Sequence, residues 1–107
     1  MNIFLHNISY AVKHPVRTWQ VRQACKMHVI AEPFCQWCST MKGLEAHHIV
    51  PMWKDESLAE EPSNFITLCN KCHLPIGHNR SFATKYVDNV RGICAARRVV
   101  NRERRDD

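Results

Sequence analysis

Residues 35–73 read CQWCSTMKGLEAHHIVPMWKDESLAEEPSNFITLCNKCH. Two Cys-x-x-Cys pairs, Cys35/Cys38 and Cys69/Cys72, bracket the pair His47 and His48, and His73 directly follows the last cysteine. A Cys-x-x-Cys turn sets two thiolates at one edge of a tetrahedron, and two such turns close a four-cysteine zinc site. The 30 residues between the pairs exceed the spacing of an ordinary zinc ribbon, so something folded joins the two halves of the site. Buried thiols or redox dithiols are the competing readings. Knuckle spacing in two pairs favours metal over both.

The insert carries the chemistry. Leu44, Glu45, Ala46 and His47 fit a short strand, with alternate side chains on opposite faces. Pro51 limits how far that strand can continue in a ladder. Adjacent histidines on one strand point to opposite faces and suit different tasks: one to ligate a metal, the other to accept a proton. A lone histidine is more often a satisfied or solvent-facing side chain. A pair plus a further histidine inside a four-cysteine frame favours a site. Phe65 to Leu68, apolar and β-branched, reads as a second strand antiparallel to the first. A short helix is expected to begin near Cys72 or His73, which completes a β-β-α unit.

On these residues the segment from 35 to about 80 resembles the HNH endonucleases, a family of ββα-metal fold. The resemblance rests on the cysteine pairs, on His47-His48-Ile49-Val50-Pro51, on Asn64 and on His73. Asn64 stands 16 residues after His48, and His73 nine after that. The resemblance implies that His47 and His73 ligate a catalytic ion, that His48 is the general base and that Asn64 orients the loop holding it. Some members add a helix histidine four residues on. Here that position is Gly77, with His78 beside it, and the third ligand stays open. The implied activity is metal-dependent hydrolysis of DNA phosphodiester bonds, leaving a 5′-phosphate and a 3′-hydroxyl. One site per chain implies nicking of one strand per event, with low sequence specificity. The implied cofactors are a structural Zn²⁺ on Cys35, Cys38, Cys69 and Cys72 and one catalytic divalent ion: Zn²⁺, Ni²⁺, Mn²⁺ or Mg²⁺. Imidazole ligands favour the transition metals over Mg²⁺.

The chain of 107 residues is expected to form a single domain over 1–107, of α+β class: a small ββα-metal core at 35–80 flanked by N-terminal and C-terminal helices. Pro15 suits a first helical turn, and a helix is expected over 15–31, ended by Pro33. Val16, Trp19 or Gln20, Ala24, Met27 and Ala31 make its buried stripe, with Trp19 in the core rather than serving as a stacking platform. A second helix is expected over 81–102. Phe82, Tyr86, Val90, Ile93 or Cys94, and Arg97 recur there at helical spacing, and Gly92 weakens its middle. Residues 1–13 show no clear period, and 52–63 read as a solvated acidic loop.

The formal net charge of +5 is unevenly spread. Residues 1–34 and 91–107 each carry a net of +3, against −1 for the segment between. Basic flanks suit a polyanion held on either side of a reaction centre, so Arg17, Arg22, Lys26, Arg97 and Arg98 are the candidate nucleic-acid contacts, with DNA the expected partner. A non-catalytic zinc-knuckle module that holds nucleic acid without cutting it is the alternative. Six cysteines with no leader pattern point to a reducing, cytoplasmic setting. Cys25 and Cys94 read as buried small hydrophobes. No run approaches a membrane span, and a monomer or weak homodimer is expected.

Overall fold

A computed structural model describes residues 15–78 and 86–106 of the protein. Helix α1 spans Pro15–Ala31, strand β1 Leu44–His48, strand β2 Phe65–Cys69 and helix α2 Val90–Asp106. Two 3-10 turns, Glu56–Leu58 and Pro62–Asn64, lie between the strands, and a single π-helical turn, His73–Gly77, follows β2. Among the described residues no helix is long and apolar enough to cross a membrane.

The strands pair antiparallel, as anticipated, in the register Leu44↔Cys69 to His48↔Phe65. One more bond extends the ladder at each end: Asn70 N–H donates to the Gly43 carbonyl and Ile49 N–H to the Asn64 carbonyl, both at 2.8 Å. Gly43 turns the chain into β1 with φ +63°, and a Cβ there would press on the Asn70 side chain at 3.1 Å. Glycine meets both demands at no steric cost.

A two-stranded ribbon is marginal by itself. Here the outer edge of β2 is covered by groups from three other segments. The Gln36 N–H donates to the Thr67 carbonyl at 3.0 Å, from inside the first cysteine knuckle. The Thr67 N–H donates to Glu32 Oε1 at 2.8 Å, just past α1. Arg91, in the first turn of α2, donates to the Phe65 carbonyl at 2.8 Å and to Glu32 Oε2 at 3.0 Å. Glu32 therefore ties both helices to the sheet. The covered edge offers few free peptide groups to another chain.

The core is built on the cysteines. Cys35, Cys69 and Cys72 are buried with Ile66, Leu68, Val90 and Cys94, and Trp37, Leu44, Ile49, Ile76 and Val87 pack around them. All six cysteines are free thiols, so no disulfide joins Cys25 to Cys94.

The structure corrects the helices. α1 keeps the anticipated bounds but turns another face inward. Val16 is 69% exposed, Trp19 63% and Met27 65%, while Val21 is buried and Cys25 and His28 are half-buried. Apolar residues occur all round this helix, so their spacing could not select the inner face. Polar contacts select it: the His28 ring lies 5.5 Å from that of Phe65 and bonds Glu32 at 3.1 Å. Residues 86–89, expected inside the C-terminal helix, lie ahead of it: the described helix begins at Val90 and runs to Asp106, past the expected end at 102, while the expected start at Ser81 lies outside the described residues. Val87 is instead held by its N–H on the Gly77 carbonyl at 3.1 Å, and Tyr86 sets its ring edge-on to Trp53. Gly92 accordingly sits in the first turn of α2, not its middle. Phe82 and the 1–13 segment lie outside the described residues.

Candidate metal centre

The four knuckle cysteines converge. Their Sγ atoms all lie within 4.8 Å of one another, and Cys38 Sγ stands 3.6 Å from Cys69 Sγ. A tetrahedral ion with metal–sulfur bonds of about 2.3 Å needs sulfur–sulfur edges of about 3.8 Å. The first knuckle closes through Ser39 N–H on the Cys35 carbonyl and Cys35 N–H on the Thr40 carbonyl, at 2.9 and 2.8 Å. The second caps β2, with Cys72 N–H on the Cys69 carbonyl at 3.0 Å. Burial opposes ionisation of Cys35, but backbone N–H groups of Cys38, Cys69 and Trp37 bring its thiol down to about 7. Burial and the neighbouring sulfurs push Cys72 strongly up. Four thiolates cannot share this space without a cation between them, so the donor set fits a closed tetrahedral ion.

A second cluster is made of His47, His73 and His78, whose ring nitrogens also lie within 4.8 Å of one another. His47 comes from β1 and is 1% exposed. His47 Nδ1 stands 2.9 Å from His73 Nε2, and His78 Nε2 stands 3.3 Å from that same atom. Metal–nitrogen bonds of about 2.0–2.1 Å give nitrogen–nitrogen edges of about 2.9 Å in an octahedron and 3.3 Å in a tetrahedron. The cluster therefore has the dimensions of an ion's coordination shell. Burial and the neighbouring imidazoles pull His47 down to about 2. Burial lowers His73 as well, against the Glu45 carboxylate. Neutral rings with free lone pairs are the form a metal binds. Glu45 Oε1 faces His73 Nδ1 at 3.4 Å, which turns Nε2 toward the cluster.

The π-helical turn explains the third member. In an α-helix the residue sharing a face with His73 would be the one four on, Gly77. A π-helical turn, with its i→i+5 bonds, takes more than four residues to come round, so His78, the residue that caps it, falls beside His73 in place of Gly77. Gly77 has another task. A Cβ there would stand 3.0 Å from His47 Cε1 and Nε2, so only glycine lets this ring lie against the turn. Pro75 gives no signal of this, since a residue without an N–H is tolerated in any first helical turn.

His48 points to the other face of β1, against the Phe65 ring at 4.7 Å. Its Nε2 donates to the Ala59 carbonyl at 2.9 Å, which leaves Nδ1 as the acceptor. Burial holds this imidazole below its ordinary value, with the Ala59 carbonyl opposing the shift. Asn64, buried, fastens the loop that supplies that carbonyl. Its Nδ2 donates to the carbonyls of Val50 and Leu58 at 3.0 and 3.1 Å, and its Oδ1 accepts from Val50 N–H at 2.8 Å. Leu58 directly precedes Ala59. Neither Glu45 nor the Ala59 carbonyl was singled out from sequence, since both roles arise from the pairing of distant segments.

The basic residues divide. Arg17 is engaged within the fold, with the Glu60 carboxylate and with the Glu56 carbonyl at 3.2 Å. Arg97 lies 4.0 Å over the Trp37 ring. Arg22 and Lys26 are exposed on α1, and Arg98 is half-buried on α2.

A two-stranded antiparallel hairpin, a histidine-bearing turn and a four-cysteine cluster in the core define a small α+β domain with two side-chain clusters that could each hold a metal ion. Comparison with protein families places it further: residues 35–79 match the model of the HNH endonuclease family. No curated protein and no solved structure matches the chain. The family match implies a nuclease or nucleic-acid-binding role.

Proposed function

We propose that this protein is a metal-dependent DNA endonuclease that nicks one strand per event. The observation that carries the reading is the pair of histidines at 47 and 48. One turns into a three-imidazole cluster, and the other presents a single acceptor nitrogen on the opposite side of the strand. Zn²⁺ would be held by Cys35, Cys38, Cys69 and Cys72 as a structural ion. A divalent ion on His47, His73 and His78 would supply Lewis-acid stabilisation of phosphate charge. His48 Nδ1 takes a proton from water as the water oxygen attacks phosphorus. The bond from phosphorus to the 3′-oxygen breaks, leaving a 5′-phosphate and, once that oxygen is protonated by solvent, a 3′-hydroxyl. Asn64 and the Ala59 carbonyl hold the imidazole in the required tautomer. Arg22, Lys26 and Arg98 contact the DNA backbone, while Arg17 and Arg97 brace the surfaces that carry them.

The test is plasmid nicking across a panel of divalent ions, with His48→Ala beside the wild type. The variant is expected to lose roughly 100-fold or more in rate while keeping its zinc. Nicking at the wild-type rate by that variant would remove His48 from its role. Duplex binding without nicking under any ion would favour a module that holds nucleic acid without cutting it.

A further inference from the structure

Helix α1 and strand β1 leave a groove between them that the proposed reaction centre does not use. Its volume is about 410 Å³, and Cys25, Lys26, Val29 and Ile30 of the helix line it with Leu44 and Ala46 of the strand. That space is enough for a small organic ligand. Leu44, Ala46 and His48 are alternate residues of one strand, so their side chains share a face. The floor of the groove therefore leads, two residues on, to the imidazole assigned as the base. The helix runs toward the same place. Arg17, in its first turn, reaches the Glu56 carbonyl and the Glu60 carboxylate, which flank Ala59 in the loop that holds His48. Arg22 stands one turn from Lys26 toward that end. α1 carries no acidic residue, and Glu45, between Leu44 and Ala46, turns to His73 on the other face of β1.

The rim of the groove is the open edge of β1. The ladder bonds at Gly43 and Ile49 set the alternation: residues 45 and 47 turn their peptide groups toward β2, and Leu44 and Ala46 turn theirs outward. Among the described residues nothing takes those outward N–H and C=O groups. We propose that the groove is a slot for one unpaired nucleobase of a DNA strand, set beside the phosphate that is cut. The proposal rests on the endonuclease reading and names its substrate class: DNA with an unpaired nucleotide at the cut, in place of continuous duplex. The slot has the chemistry of a base turned inside out. Val29, Ile30, Leu44 and Ala46 offer apolar surface to its faces. The outward peptide groups at the rim meet the donors and acceptors of its edge, and Lys26 meets the adjoining phosphate. In a duplex those faces are stacked and that edge is paired, so only an unpaired base can enter. The basic wall favours a nucleic acid over a second copy of this chain, whose α1 would bring its own Arg22 and Lys26 against these.

The experiment measures equilibrium binding of the full, zinc-loaded chain to labelled phosphorothioate DNA that resists hydrolysis. One probe is a continuous duplex, and the other is the same duplex with one unpaired thymine. The unpaired thymine is expected to tighten binding about 10-fold. Ala46→Leu fills the floor, and Ile30→Ala removes part of a wall at an exposed position, which spares the fold. Each is expected to bring the two affinities together. A 4-thiothymine at the unpaired position should cross-link to a peptide that holds residues 25–30 or 44–46. Equal affinity of the wild type for the two duplexes overturns the slot, as does a cross-link elsewhere in the chain or a preference that survives both replacements. A dimer that neither DNA dissociates, with no preference for the unpaired base, overturns it in favour of a second copy at the open edge of β1. Preferred binding of the unpaired thymine with no nicking of any DNA would leave the slot standing and remove only the endonuclease reading.

Discussion

At the scale of single residues, Gly77 sets how closely His47 can approach the turn that carries His73 and His78. A methyl group placed there meets the His47 ring at 3.0 Å, and the ring must give way. Gly77→Ala is expected to weaken binding of an ion at the three histidines by about 10–100-fold, as disturbing a ligand's support usually does. The cysteine-bound zinc should stay, so metal content at low and high free ion separates the two sites. Asn64 acts through the loop it fastens. Asn64→Ala removes three hydrogen bonds from a buried side chain and strands the peptide groups of Val50 and Leu58. A loss of about 2–3 kcal/mol in unfolding free energy is expected. A slower nicking rate should accompany it, since the Ala59 carbonyl that orients His48 sits beside Leu58.

At the scale of elements, the two helices are held to the sheet through one carboxylate. Burial alone would push the Glu32 carboxyl above its ordinary value. Hydrogen bonds from Arg91, the Thr67 N–H and His28 outweigh it and hold the carboxyl below its ordinary value. A carboxylate lowered in the folded state adds stability above its unfolded value and loses it as pH falls through the folded one. Glu32→Gln is therefore expected to melt below the wild type at neutral pH, by about 1–2 kcal/mol in free energy. That gap should narrow as pH falls from the ordinary glutamate range through the lowered folded value, where the wild-type carboxyl protonates too. Thermal melts of the two proteins across pH check this, and a gap that does not depend on pH would show that charge is not what holds the helices. The same contacts show why α1 turns Trp19 outward: His28 and Glu32 bind the sheet, and the apolar residues take the sides that remain.

At the scale of the whole molecule, the proposed zinc site and the hydrophobic core are one object. Cys35, Cys69 and Cys72 pack with Ile66, Leu68, Val90 and Cys94, so the thiols cannot separate without opening the core. A structural zinc contributes on the order of 10 kcal/mol to folding in small domains. Cys69→Ser, or removal of zinc by a chelator, is expected to unfold the sheet and release both helices in one transition. Melting followed by circular dichroism, with zinc release read by a colorimetric chelator, would show the two events coinciding. A normally melting Cys69→Ser protein would break the link between cluster and core.

The hairpin, the cysteine frame and the placement of His47 and His48 on opposite faces of one strand were legible in the chain itself. Each follows from local rules: knuckle spacing, the two-residue period of a strand, and the limits set by Pro33 and Pro51. The third histidine, the inner face of α1 and the start of α2 were not legible, because each depends on contacts between segments far apart. A π-helical turn, which no short-range spacing rule anticipates, puts His78 where Gly77 was expected. The ladder formed with β2 decides which side of α1 finds a partner in Phe65 and Glu32. The Gly77 carbonyl holds Val87 in place, and the helix waits until Val90. Spacing along a chain sets which groups can share a face; only packing decides which of them meet.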